Sequence, residues 1–363
     1  MNSRFYFQMK LCCIFLCAII LGSCATASPP KVLRAEFGRS IWSDGQRQAG
    51  VLFQDGAQST PVAGGSLWAF GDTFFGRPAP GDLPDRSQIK GATGTTIAFL
   101  PAGETNLPPR LKYFSGADGL ATNPLALFPE EPAATNRMWP LGGIAVGSHI
   151  YLYYSMIEKT DGPGPWNFRG IGGGLAVADE PLQSFTRLRP GGHWKFPVEP
   201  IQIVREGPLL YLFEISSTPK GLILARVRAD DIEKPAAYEF FTGQGWSTNR
   251  AQVTVILREA YGQVSVVWSP ARRSYLMATS SDFFHPREIQ LREAAHLEGP
   301  WGKPVRVAVP DMPGKTTKLI YGAFLHPELS DDQAGRYLVT YCRMLSGEWE
   351  LTNPEWVSLT LAP

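Results

Sequence analysis

The chain has 363 residues, with 34 Lys and Arg against 33 Asp and Glu for a formal charge of +1, a balance that supplies no basic field for nucleic acid. Its 37 Gly, 31 Pro and 12% aromatic residues put turn formers throughout and leave few stretches able to run as helices, so the predicted class is all-β. All-β folds of this length commonly form one unit rather than several.

The first segment in chain order has Arg4 and Lys10, an apolar run from Leu11 to Leu21, and then Leu21-Gly-Ser-Cys24. A basic start and an apolar stretch of about 11 residues describe a secretory signal, too short to span a bilayer permanently. Leu-Gly-Ser-Cys resembles a bacterial lipobox, which implies a lipoprotein signal peptide over 1–23, lipidation of Cys24, a tether over 24–30 and a single domain over 31–363. Ordinary cleavage near Ala25 to Ser28 is the alternative. The expected location is outside the cytoplasm, on the bacterial cell membrane or outer membrane through the lipid anchor. Without Arg4 and Lys10 the charge becomes −1. Cys12, Cys13 and Cys17 leave with the signal, so Cys342 remains alone and no intramolecular disulfide can form. Within Tyr337-Leu-Val-Thr-Tyr-Cys342 that thiol reads as a buried strand residue.

The segment Asp55-Gly-Ala-Gln-Ser-Thr60, followed by Gly64-Gly-Ser-Leu-Trp-Ala-Phe-Gly-Asp-Thr-Phe-Phe-Gly76, reads as a β-hairpin with one aspartate at each open end. A turn centred near Ala63 or Gly64 puts Asp55 eight or nine residues before it and Asp72 eight or nine after. The two then face each other across the strands, on the same side. Two acids so close do not ionise alike, since like charge raises one pKa while hydrogen bonds lower the other, and that split yields an acid and a base or nucleophile. A pair of carboxylates is the equipment of a glycoside hydrolase; a separation of roughly 5 to 5.5 Å implies retention and roughly 6.5 to 9.5 Å inversion. The competing reading makes Asp55 a turn residue with Gly56 and Asp72 a loop cap through Thr73.

Four further hairpins follow: Leu141 to Val146 with Ile150 to Tyr154, Ile201 to Val204 with Leu209 to Phe213, Val264 to Trp268 with Tyr275 to Ala278, and Leu319 to Leu325 with Tyr337 to Tyr341. After the first, their spacing is close to 60 residues, which suits a four-stranded propeller blade with long loops. Third strands are expected at Thr95 to Leu100, Gly174 to Ala178, Gly221 to Val227, Glu288 to Arg292 and Trp349 to Leu351, and Lys31 to Phe37 could close the ring by joining the last blade. A five-bladed β-propeller fits this order; a β-sandwich of similar strand count would not repeat in it.

The combination of Asp55-Gly-Ala-x-Ser, Leu67-Trp-Ala-Phe-Gly-Asp-Thr-Phe, Trp139-Pro, Leu224-Ala-Arg-Val227, Gly299-Pro-Trp-Gly302 and the run from Tyr321 to Leu329 resembles the bacterial domain-of-unknown-function family 4185 across almost the whole mature chain. That family is similar to glycoside hydrolase family 183, five-bladed propellers whose characterised members are endo-acting D-arabinanases. The resemblance implies that Asp55 and Asp72 are the catalytic aspartates. Gln58 stands where the resemblance calls for an aromatic residue, so the pocket wall differs.

The register rule that selects Asp55 and Asp72 selects Arg137, Met138 and Trp139 with Glu158 in the second blade, and Glu199 with Glu214 in the third. Trp139 could stack on a sugar face, Arg137 could bind a ring hydroxyl or an acidic group, and Glu214, at the end of an apolar strand, is the better third carboxylate. His326 is expected about two residues deeper in the channel, to orient an aspartate, to hold an ion or to be satisfied within the core. The other histidines have no ligand spacing, and no HExxH, CxxC, phosphate loop or Gly-x-Ser-x-Gly elbow occurs. No metal or cofactor is expected. The partners expected are a polysaccharide substrate and the membrane, without nucleic acid, for a monomer. The function expected is a lipid-anchored glycoside hydrolase acting on an arabinan-like furanoside, with Asp72 as nucleophile and Asp55 as acid/base. The alternative is a non-catalytic propeller binding glycan or protein in the envelope.

Overall fold

Strands such as Leu209–Ser217 are apolar at consecutive positions because both of their faces are covered. Leu210 and Leu212 point into a layer shared with the second blade, while Tyr211 and Phe213 point into a layer shared with the fourth. The computed structural model describes residues 29–77, 84–162, 167–280, 287–346 and 352–363, and their strands form five antiparallel sheets arranged as a five-bladed propeller. The signal peptide over 1–23, Cys24 and most of the tether over 24–30 lie outside the described residues.

The innermost strands are Val51–Val62, Asn136–Val146, Gln202–Glu206, Tyr261–Ser269 and Thr317–Leu325. Each is followed by the second strand of its hairpin, Gly65–Phe75, His149–Lys159, Leu209–Ser217, Ser274–Ser280 and Arg336–Leu345. The third strands are Thr96–Pro101, Phe168–Ala178, Lys220–Arg228, Glu288–Ala294 and Glu355–Leu361. The last of these corrects the sequence reading. The segment Trp349 to Leu351 lies outside the described residues, and the alternating Trp356-Val-Ser-Leu-Thr-Leu361 forms the strand instead. Val32–Ser40 pairs antiparallel with Glu355–Leu361 as the outermost strand of the fifth blade, so both ends of the ring meet in one sheet. The single α-helix among the described residues, Asp44–Gln48, carries a Ser43–Gln46 capping box.

The core is distributed as five apolar layers, each between two successive blades, rather than one central cluster. Tyr153, Phe213, Trp68 and Tyr341 are fully enclosed in them. The connection into the second blade is fastened by buried Arg187, whose Nη2 meets Glu131 Oε1 at 2.9 Å and whose Nε donates to the Tyr154 hydroxyl at 2.7 Å.

One buried contact joins two blades that do not adjoin. Gln58, 8% exposed on the innermost strand of the first blade, donates from Nε2 to the carbonyl of Ile201 in the third at 2.5 Å. The unexpected residue at this position is therefore a strut three residues inward from Asp55 and not a wall beside it. Gln58→Leu removes the partner of a buried carbonyl and is expected to cost about 1–3 kcal/mol, read as a lower urea midpoint. An unchanged midpoint would show that Ile201 finds another donor.

Candidate active site

The first hairpin turns at Ala63-Gly64, and its net register places Asp55 across from Asp72 as counted from the sequence. Gln58 faces Ala69 and Gln54 faces Thr73, but between them Gly56 faces Phe70. One strand therefore carries an extra residue at Ala57, and the other carries one at Gly71-Asp72; the two bulges cancel. Ala57 takes φ of +82°, a left-handed conformation that costs a non-glycine residue roughly 1–3 kcal/mol. The Thr73 hydroxyl donates to the Gly71 carbonyl at 2.9 Å and fixes the second bulge. Gly71 is required for space: a Cβ there would land on Oδ1 of Asp55.

The carboxyl of Asp55 receives the Tyr321 hydroxyl on Oδ2 at 3.0 Å and the backbone N–H of Asp72. Asp72 is bound by the second blade, with Trp139 Nε1 at 2.9 Å and Arg137 Nη1 at 3.4 Å, both to Oδ1. Both donors among the described residues thus converge on one oxygen and leave Oδ2 unengaged by them. Its side chain keeps 26% of its surface open to solvent, so Asp72 is accessible from outside.

Burial, and next the charge of Asp72, push the Asp55 carboxyl up from 3.8 to about 7, against the opposing hydrogen bond from Tyr321. Burial raises Asp72 as well, but Arg137 and Trp139 pull the other way. With a guanidinium and an indole N–H on its own oxygen, Asp72 ionises first, and Asp55 then feels that charge.

The expected site residues separate on this geometry. Arg137 and Trp139 join the pair; Trp139 also meets Phe168 edge to face, with ring centroids 4.9 Å apart. Glu214 is 6% exposed and paired with Arg250, which donates from Nη1 to Oε2 at 2.9 Å, so it anchors a loop. Its neighbour Glu199 is the more accessible carboxyl, held by the Ser155 hydroxyl at 2.8 Å and raised by burial and then by Glu214. His326 is fully buried, with Nδ1 on the Ser59 hydroxyl at 2.9 Å, Nε2 on that of Thr340 at 2.7 Å, and its ring stacked on Trp68 at 4.2 Å. It is occupied within the core. Cys342 is buried as well, its Sγ 3.8 Å from the Gly56 carbonyl. Among the described residues no three of His, Cys, Asp and Glu cluster to hold a metal. Tyr321 is the contact that sequence reasoning missed, although it begins one of the family motifs.

A side pocket of about 260 Å³ adjoins the pair at Arg137, lined also by Thr93, Asn123, Leu127, Asn136 and Met138. A larger one, about 430 Å³, lies at the opposite end of the first hairpin around Ser66 and Glu328, away from these carboxyls.

The architecture is a five-bladed propeller with two carboxyls held together at the open end of its first hairpin. The chain belongs to the family described as domain of unknown function DUF4185, whose model matches residues 49–343. No curated protein matches the sequence. Among solved structures, a candidate hydrolase from Bacteroides ovatus is 16% identical with a TM-score of 0.64, over 87% of both chains. A family 43 β-xylosidase/α-arabinofuranosidase from a compost metagenome is 13% identical with a TM-score of 0.52, over 90% of this chain and 94% of its own. A family 117 glycoside hydrolase from Zobellia galactanivorans is 12% identical with a TM-score of 0.51, over 90% of each. At these identities the likeness is one of fold.

The raised Asp55 has a consequence for stability. The folded state binds this proton more tightly than the unfolded chain does, so its contribution is favourable below pH 4 and is lost as pH rises toward 7. At about 1.4 kcal/mol per pH unit this is on the order of 4 kcal/mol. Asp55→Asn is therefore expected to raise the urea midpoint over wild type more at pH 8 than at pH 4.5; equal gains at both would contradict the assignment.

Proposed function

We propose that the protein is a glycoside hydrolase cleaving a furanosidic, arabinan-like polysaccharide, exported and tethered to the membrane by an acylated Cys24. The observation that carries the reading is the unequal carboxyl pair: Asp72 tied through one oxygen to a cation and an indole, Asp55 held beside it with its proton retained to near neutrality. The furanoside preference is supported by the family resemblance to arabinanases and by the propeller of shared fold whose name includes α-arabinofuranosidase.

In the proposed reaction Oδ2 of Asp72 attacks the anomeric carbon while Asp55 gives its proton to the glycosidic oxygen. The carbon–oxygen bond to the leaving sugar breaks as the glycosyl ester forms. Asp55, now ionised, takes a proton from water, whose oxygen displaces Asp72 and restores both groups. Arg137 and Trp139 keep Asp72 charged for the attack. The side pocket beside Arg137 has room for one sugar ring, with Asn123 and Asn136 offering amides to its hydroxyls.

The test is incubation of the full chain with arabinans and other cell-wall glycans, with released oligosaccharides measured. Wild type is expected to release them, Asp72→Asn to lose at least about 10³ in kcat and Asp55→Asn about 10²–10⁴. Unchanged release by Asp72→Asn would end the assignment, and a wild type inert on every glycan would favour the binding propeller. The anomeric configuration of the first product, followed by NMR, is expected to be retained; inversion would make Asp72 a base acting through water.

A further inference from the structure

Tyr321 belongs to the fifth blade, yet its hydroxyl reaches Asp55 in the first at 3.0 Å. A regular strand would not aim it there. Pairing slips between Tyr321 and Phe324, where Gly322 takes φ of +65°, a conformation glycine adopts without strain. The Gly322 N–H released from the ladder is taken by Oε1 of Gln263 on the fourth blade at 3.0 Å. On the other side of Asp55 the Asp72 N–H donates to the same carboxyl, and Gly71 leaves it room. Asp55 is thus gripped between two blades, with a third fixing the residue that grips it.

We propose that Tyr321, set in place by Gln263, is the positioning residue that holds the Asp55 carboxyl and keeps its proton releasable to the leaving group. This rests on the hydrolase reading. The titratable and charged groups acting on Asp55 are Asp72, Tyr321 and Arg137, with Cys342 beneath the bulge. A donated O–H favours the ionised carboxylate, so Tyr321 opposes burial and the charge of Asp72 and keeps the acid near neutrality instead of locked in its protonated form. The phenol cannot take over the proton traffic, because burial and then Asp55 hold its own proton far above the ordinary tyrosine range.

The experiment is carboxyl NMR of the full chain labelled with ¹³C-aspartate, Asp55→Asn identifying the Asp55 resonance. Wild type is expected to titrate at about 7. Tyr321→Phe should move that midpoint upward by about one pH unit, and Gln263→Ala, which keeps the phenol but frees its backbone, should move it the same way by less. An unchanged midpoint in folded Tyr321→Phe overturns the proposal; if that variant fails to fold, an unchanged midpoint in Gln263→Ala does so. With a cleaved glycan in hand, the alkaline limb of kcat should shift upward with the midpoint while KM holds, and a change in KM alone also overturns it. A midpoint that shifts in a protein cleaving no glycan tells against the hydrolase reading and leaves the Tyr321 contact standing.

Discussion

Two bulges in one hairpin, at Ala57 and at Gly71-Asp72, hold two aspartates against each other, and the cost of burying like charge there is what the neighbouring blades are arranged to meet. Neither bulge is useful alone. One by itself would shift the register by a residue and turn one carboxyl to the other face of the sheet; together they restore the register and leave only a local distortion. The distortion sets the backbone N–H of Asp72 against the Asp55 carboxyl, which no regular antiparallel pair provides. The second blade answers the charge of Asp72 with Arg137 and Trp139, and the fifth answers Asp55 with Tyr321.

This division of labour follows from how the core is built. Each blade is covered on both faces, so alternate side chains of one strand belong to different apolar layers, and the blades are located by their neighbours rather than by a common centre. Polar groups at the channel mouth inherit those positions. The crossing from Gln58 to Ile201 adds a restraint between blades that do not adjoin, one that is independent of the apolar layers.

Much of this was legible in the sequence. The hairpins announce themselves by apolar runs around short turns, and the net register of the first survives its bulges, so counting from Gly64 brought Asp55 and Asp72 together. The bulges themselves were hidden, because alanine at Ala57 does not advertise a left-handed backbone. Tyr321 was hidden for a related reason: Gly322 slips its strand, so no regular count aims the phenol at Asp55. Glu214 reads as a free carboxylate ending an apolar strand, but its partner Arg250 stands 36 residues further along, and a pairing at that distance leaves no local pattern. In the sequence Gln58 is only a departure from the family motif; its partner lies in the third blade. The third strand of the fifth blade lies later than Trp349-Glu-Leu351, which is short and apolar-ended, because the alternation in Trp356 to Leu361 is the stronger strand pattern.

The fifth blade draws its strands from both ends of the chain: Val32–Ser40 lies against Glu355–Leu361, and the same sheet presents Tyr321 to Asp55. The carboxyl pair is therefore wired to the seam of the ring. A nascent chain that has made the first four blades owns both aspartates and both ligands of Asp72, but not the sheet that orients Asp55. The surroundings of Asp55 are thus complete only when the sheet built from both ends of the ring is complete, whereas those of Asp72 are complete with the second blade.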